Sequence, residues 1–419
     1  VEFRNEEIVI ELGKQGELRH RKVSYPLLVG TYHKITLPGY VFFYDLKGDI
    51  KYIRGLHRDW PHPSEWLKRS KGGYWVYYFS GRYTEDLFDY LGEYYLPCFP
   101  YQSNSLWRVD TFAEESVQRA LSTWEVVPGM VEEHLGKKGP SPIRDLVRRI
   151  GERGREALQE SAKELLRING DEVRVLPPDT RHVDYEVLPL FIAEGCLYDC
   201  AFCRVKSGRS FQSRSRENVR WQLRELENLL GEEEANLNAV FLGQDDALHA
   251  GTEKVTDAAE VALQSLRPSP LWDRYVFFFG SVDSLLAAED KLWSNLAELP
   301  CRTYVNIGLE SGDQETLDRL GKPLRAELVR EAFSRMLDLN ERHANLEVSA
   351  NFLLDPDLPS EHWTELERLL REVAVRPRSK GAIYLSPMRG GRKREHMRLF
   401  QPLKMRSKLP LYLYLIQRL

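Results

Sequence analysis

The chain has 419 residues, of which 42% are hydrophobic and 29% charged, and its formal net charge of -4 comes from acidic and basic residues interspersed along both halves. That length supports two or three domains with sizeable cores, and no apolar run approaches the length of a membrane span, so a soluble protein is expected. No Lys/Arg block marks a nucleic-acid surface, and the opening VEFRNEEIVIELG is too charged for a signal peptide.

The N-terminal stretch reads as β-structure. EEIVIELG alternates apolar and polar residues, and GYVFFYDLKGDIKYIRG places two β-rich runs around the turn Asp45-Leu46-Lys47-Gly48, which predicts a hairpin. GGYWVYYFSGRY and FDYLGEYYLPCFPYQSNSLW follow, and aromatics at this density fill a core or a domain interface. LGKKGPSP reads as a loop. After it, Leu146, Ile150, Leu158, Leu165 and Leu166 form an apolar helical stripe between Ile143 and Ile168, interrupted at Gly151 and Gly154. The turn Asn169-Gly170 and the pair Pro177-Pro178 then mark a boundary. The expected organisation is an aromatic-rich α+β domain over 1–130, a helical linker region over 131–185 and a third unit over 186–419.

In that third unit, short β-branched runs alternate with amphipathic helices, the pattern of βα units around a parallel sheet. Strands are predicted at Glu186–Ala193, Ala239–Leu242, Tyr275–Phe279, Thr303–Leu309, Leu346–Leu354 and Ala382–Leu385. Helices are predicted at Arg216–Leu230, Lys254–Leu266, Ser284–Glu298, Ala326–Leu339 and Ser360–Val373. Six strands with five intervening helices fit a partial (βα)6 barrel, whose ligands bind at the C-terminal strand edges.

The first of these strands runs straight into GCLYDCAFC, which spaces Cys196, Cys200 and Cys203 as C-x3-C-x2-C. Three close thiolates can ligate three irons of a [4Fe-4S] cluster and leave the fourth iron open. Structural zinc sites pair one such motif with a second, whereas the two remaining cysteines, Cys98 and Cys301, stand far apart and are too few for a second cluster. Packing accounts for both, with a methyl-carrying or hydrogen-donating thiol as the alternative.

The spacing, with Phe202 before the last cysteine, resembles the cluster loop of the radical S-adenosylmethionine (SAM) superfamily. The resemblance implies a partial (βα)6 radical SAM barrel behind an α+β domain, with a [4Fe-4S] cluster on Cys196, Cys200 and Cys203, SAM chelated on the open iron, and Phe202 positioning adenine through its backbone. It implies further contacts at later strand ends. FLGQDDAL stands where the family has a Gly-Gly-Glu segment, so Gly243 and either Asp245 or Asp246 would hold the methionyl end, although the residues after Gly243 depart from the pattern. Ser281 would touch the methionyl carboxylate or simply close a turn. VNIGLESGDQETLDRLGKP resembles the ribose-binding segment of the elongator-like and methylthiotransferase-like branch, which would give Glu310 the ribose hydroxyls, with Ser311 beside it and Asp313 as a helix cap. The backbone around Leu385 would edge the adenine. Asn351 and Leu353 point away from Phe352, and the sequence leaves open which face meets SAM. Of Arg204, Lys206, Arg209, Arg214 and Arg216, one would pair with a carboxylate or all would form a solvated loop.

The expected activity is reductive cleavage of SAM to a 5'-deoxyadenosyl radical that takes a hydrogen atom from a small-molecule or peptide substrate, with an electron donor such as flavodoxin or ferredoxin. The reduced cysteines and the oxygen-labile cluster so implied make the cytoplasm the default compartment. The alternatives are a tRNA- or rRNA-modifying enzyme of this superfamily and a non-catalytic iron-sulfur or SAM-binding protein.

Overall fold

The structure is a computed structural model that describes residues 1–14, 30–60, 66–69, 75–78, 90–94, 111–136, 139–183, 185–203, 208–267, 273–372, 380–388 and 392–417. Cys98, Arg204, Lys206 and much of the aromatic-rich stretch lie outside the described residues.

Seven strands form an antiparallel meander: β1 (Glu2–Arg4), β2 (Val9–Glu11), β3 (His33–Leu37), β4 (Tyr40–Tyr44), β5 (Ile50–Gly55), β6 (Trp66–Arg69) and β7 (Trp75–Tyr78). The expected hairpin is β4–β5. Its turn closes with the Gly48 N–H donating to the Asp45 carbonyl at 3.0 Å, and the Gly48 φ of +96° is one that a β-carbon would strain. The next strand, β8 (Tyr90–Tyr94), belongs to the second sheet. Two helices, α1 (Glu115–Leu135) and α2 (Ser141–Glu152), bring Val117, Val127, Ile143 and Leu146 against Ile10, Ile35, Phe42 and Ile53 of the meander. Of the two predicted interruptions, Gly151 lies inside α2, whereas Gly154 is the N-cap of α3 (Arg155–Asn169), and Gly170 ends α3 in the left-handed region. Leu158 of this helix belongs to the first core, and Leu165 and Ile168 belong to the second.

The second sheet holds eight parallel strands in the order β8-β17-β16-β15-β14-β13-β12-β9. In chain order its remaining members are β9 (Leu188–Pro189), β12 (Ala239–Phe241), β13 (Tyr275–Gly280), β14 (Arg302–Glu310), β15 (Leu346–Leu354), β16 (Ile383–Pro387) and β17 (Leu411–Gln417), while β10 (Ala193–Glu194) and β11 (Gln212–Ser213) form a small separate ribbon. Helices α4 (Arg216–Leu230), α5 (Thr252–Ser265), α6 (Val282–Ala287), α7 (Asp290–Glu298), α8 (Gln314–Arg319), α9 (Ala326–Arg342), α10 (Ser360–Glu372) and α11 (Lys393–Arg406) fill the crossovers. From β9 to β17 each strand lies beside the one before it, so crossovers of one hand stack the helices on one face and leave an open barrel. This is the expected partial barrel, lengthened by β17 and β8.

Three local expectations change. The first strand is named only at Leu188–Pro189, yet its backbone goes on pairing, with Leu190 N–H on the Phe241 carbonyl (2.8 Å) and Ile192 N–H on that of Leu242 (3.1 Å). The helix predicted over Ser284–Glu298 is two helices, because Ala288 and Glu289 are extended. The apolar C-terminal run, for which no strand is predicted, pairs in the sheet, Leu411–Leu413 with Ile383–Leu385.

Strand alternation sorts the barrel into two layers. Val240, Val276, Val305 and Val348 face the helices, whereas Phe241, Phe277 and Tyr304 face inward against Leu176, Val183, Tyr185 and Val187. The chain before β9 therefore plugs the interior. Its buried Asp179 accepts from the hydroxyls of Ser349 and Tyr384, and His182 stacks on Tyr304 at 4.9 Å. Glu186, at the end of the plug, pairs with the buried Lys51 and Lys68 of the meander at 2.7 and 2.8 Å. Among the described residues, no helix is long and apolar enough to cross a membrane.

Candidate active site at the C-terminal strand edges

The cysteine loop begins at a position that only glycine fills well. Gly195 has φ +74°, and a β-carbon there would stand 2.3 Å from the Ser210 carbonyl oxygen. Cys196 then bridges to Ser210, and the Ala201 N–H donates to the Leu320 carbonyl at 3.0 Å, just beyond α8. The loop is thus held from both sides. Cys196, Cys200, Cys203 and Phe202 line one cleft of about 240 Å³, together with Asp245 beyond β12, Ser281 beyond β13, Glu310 at the end of β14, Asn351 and Leu353 of β15, Ser386 of β16 and Tyr414 of β17. Residues scattered over more than two hundred positions meet there because parallel strands end at the same edge.

Burial pushes the Cys196 and Cys200 thiols up to about 11. A metal, which binds cysteine as thiolate, would offset that cost. Among the described residues, the trio with ligand atoms all within 4.8 Å of one another is Asp45, Asp49 and Glu233, not the three cysteines.

Two carboxylates in the cleft are held at a cost. The described non-glycine residues with positive φ are Tyr185, Asp245 (66°) and Glu310 (65°). A left-handed non-glycine residue costs about 1–3 kcal/mol and persists where its surroundings impose it, which is common at ligand sites. At Glu310 the cause is a register shift between β14 and β15 at Gly308/Glu310, and a β-carbon on Gly308 would sit 2.6 Å from the Glu310 Oε1. Lys322 donates to that carboxylate at 3.2 Å. Asp245 pairs with Arg174 at 2.9 Å; burial pushes its carboxyl up and Arg174 pulls it back. Gln244 ties the same loop to the plug, accepting from the Arg174 N–H at 2.7 Å and donating to the Glu172 carbonyl at 2.6 Å.

Asp246, Ser311, Gly243 and Leu385 stand outside the cleft lining. Asp246 is fully buried and accepts from the Ser281 N–H (3.1 Å) and the Ser284 hydroxyl (2.7 Å). Ser311 is also fully buried, bonding to His362 at 2.8 Å, and the Leu385 side chain lies in the outer core, leaving Ser386 on the cleft. Gly243, with φ +129°, has nothing within 3.7 Å of an added β-carbon. Ser281 does two things: it lines the cleft, and it caps α6 by accepting from the Ser284 N–H. Asp313 caps α8. Arg209 pairs with Glu194, and Arg216 lies near Glu253 and Asp257. Asn351 and Leu353 face the cleft while Phe352 lies in the outer core. Sequence reasoning assigned no role to Tyr198, Lys322 or Tyr414. Lys322 stood inside the segment singled out for Glu310, but its partners are visible only once α8 folds back.

No protein-family model and no curated protein matches the chain. Solved structures do. The cobalamin-dependent S-adenosylmethionine radical enzyme OxsB, with aqua-cobalamin and S-adenosylmethionine bound, is 17% identical over 67% of this chain and 41% of its own, with a TM-score of 0.34. A radical SAM methyltransferase from Sphaerobacter thermophilus is 15% identical over 54% of this chain and 65% of its own (TM-score 0.36), and methylornithine synthase (PylB) is 10% identical over 71% and 84% (TM-score 0.34). The chain thus spans about two fifths of the length of OxsB.

Proposed function

We propose that this chain is a radical S-adenosylmethionine enzyme. One observation carries the reading: three iron-competent cysteines share a cleft with two carboxylates, Asp245 and Glu310, both held in left-handed backbone. Cys196, Cys200 and Cys203 would hold a [4Fe-4S] cluster, with SAM bound beside it in the cleft. When bound, the pair supplies one-electron cleavage of SAM to methionine and a 5'-deoxyadenosyl radical.

The chain's own residues bind, orient and shield. Asp245 accepts from the methionyl ammonium, and Ser281 stands ready for the methionyl carboxylate. Glu310 accepts from the ribose hydroxyls, its carboxylate turned into the cleft by the bulge. The Phe202 backbone and the strand end around Leu385 and Ser386 border the adenine. Val175, Phe279, Leu353 and Tyr414 supply an apolar wall, which keeps water from a carbon radical. The substrate is a small molecule or peptide, and a flavodoxin- or ferredoxin-like protein provides the electron.

The test is 5'-deoxyadenosine formation by anaerobically reconstituted protein with SAM and dithionite, beside Cys200→Ala. Product from the parent and none from the variant is the expected result. A loaded parent that neither binds nor cleaves SAM would overturn the reading.

A further inference from the structure

A buried cation in the cleft has no part in these roles. Lys322 is 5% exposed; its Nζ donates to the Gly308 carbonyl at 2.7 Å and to Glu310 Oε1 at 3.2 Å, and lies 5.6 Å from the centre of the Tyr198 ring. Tyr198 stands between Cys196 and Cys200, and its own N–H donates to the Cys196 Sγ at 3.5 Å. Lys322 arrives on a turn fixed to the same loop. The Leu320 carbonyl accepts from the Ala201 N–H, and Gly321, at φ +61°, brings its α-carbon so close that an added β-carbon would lie 3.2 Å from that of Ala201. The turn 320–322 therefore grips the cysteine loop with its backbone and the Glu310 bulge with the lysine side chain.

Packing alone does not explain an ammonium here. Burying a charge is unfavourable unless it is paired, and a methionine would fill similar space without that cost. The electrostatic consequence has a definite sign. Reducing a cysteine-ligated cluster adds negative charge, which a nearby buried cation favours and a nearby carboxylate opposes. Lys322 and Glu310 line the same cleft as Cys196, Cys200 and Cys203, so both charges act on whatever those cysteines hold. Loss of Lys322 alone would leave the carboxylate uncompensated.

We propose that Lys322 is a positioning residue that locks the Glu310 bulge to the cysteine loop and makes the cluster easier to reduce. This rests on the reading of the cleft as a cluster and SAM site.

The experiment is a potentiometric titration of the reconstituted protein, followed by electron paramagnetic resonance, for the parent, Lys322→Met, Lys322→Gln and Lys322→Arg, with SAM affinity and melting temperature measured alongside. In the Met and Gln variants the reduction equilibrium is expected to shift about tenfold toward the oxidised cluster, about 59 mV for one electron, with weaker SAM binding. Arg should restore both. Met and Gln both lose the charge and leave the part-buried Glu310 carboxylate unpaired, but only Gln keeps a donor for the Gly308 carbonyl, so a potential that is equally shifted in Met and Gln while their melting temperatures differ separates charge from structure. Should the Met variant fail to load iron, the Gln and Arg pair decides. Parent-like potential and SAM affinity in the Gln variant would overturn the role of Lys322 and leave the functional reading intact. A parent protein that takes up no cluster, or loads one and ignores SAM, would overturn both.

Discussion

Gly195→Ala and Gly208→Ala form a matched pair that tests how the cysteine loop is built. Both glycines belong to the same loop region and have nearly the same backbone, φ +74° and +69°. A β-carbon in this left-handed region costs about 1–2 kcal/mol at either position. Among the described residues, only Gly195 adds a steric conflict: its β-carbon would meet the Ser210 carbonyl oxygen at 2.3 Å and that of Arg209 at 2.6 Å, whereas none of them lies within 4 Å at Gly208. Overpacking against backbone adds about 1–3 kcal/mol, so Gly195→Ala should cost roughly 2–5 kcal/mol in total. The conflict lies where Cys196 bridges to Ser210, so the cysteine should be displaced from the other two. The assay is iron and sulfide per chain after anaerobic reconstitution, with urea unfolding of the same samples. Gly208→Ala should load close to the parent level and Gly195→Ala should load little. Equal loading of the two would refute the claim that this contact sets the loop.

Asp246→Asn should lower stability by about 1–3 kcal/mol by disturbing two buried acceptor bonds, while Asp245→Asn should weaken SAM binding about tenfold; urea midpoints beside SAM titrations separate the two, and matching profiles would contradict the division of labour. Burial holds the His362 imidazole down to about 4, from an ordinary value of 6.5. The neutral ring is therefore favoured in the fold, so its contribution is complete above pH 6.5 and fades as pH falls toward 4, by up to about 3 kcal/mol. His362→Gln should flatten the loss of urea stability between pH 7 and pH 5, and an unchanged slope would disprove the assignment. Asn236 accepts from the Thr31 N–H at 2.7 Å and donates to its carbonyl at 3.1 Å, so Asn236→Ala should cost about 2 kcal/mol through unsatisfied buried groups, read by urea unfolding. Cys301, buried near Thr303 at 3.7 Å, belongs to the outer core. Cys301→Ala should leave 5'-deoxyadenosine formation at the parent rate, and its loss would revive a chemical role for the thiol.

Local grammar made much of this protein legible from its residues. Arg216–Leu230 is a helix at the predicted bounds because Val219, Leu223, Leu226 and Leu230 recur at helical spacing, and Gly48 and Gly170 close the turns expected of them. Six strands of the barrel were readable as short apolar runs between amphipathic helices. The three cysteines, Glu310 and the neighbourhood of Asp245 could be named because their chemistry is carried within a few consecutive residues. Long-range relations were not written in any local pattern. Leu411–Gln417 extends the sheet only because β16 offers it an edge, and the segment around Asp179 fills the barrel through partners some 170 and 205 positions away. Asp245 and Asp246 are identical in type and adjacent in sequence. The left-handed turn at Asp245 directs one to the cleft, and the Ser281–Ser284 cap takes the other into the core. Lys322 reads as an ordinary helix-end lysine until the turn after α8 lays it across Glu310 and Tyr198. The sequence by itself determined the elements and the reactive groups, through periodicity and residue chemistry. Which side chains face one another depended on the shared C-terminal edge of the parallel strands, and that proximity was decided only in the tertiary structure.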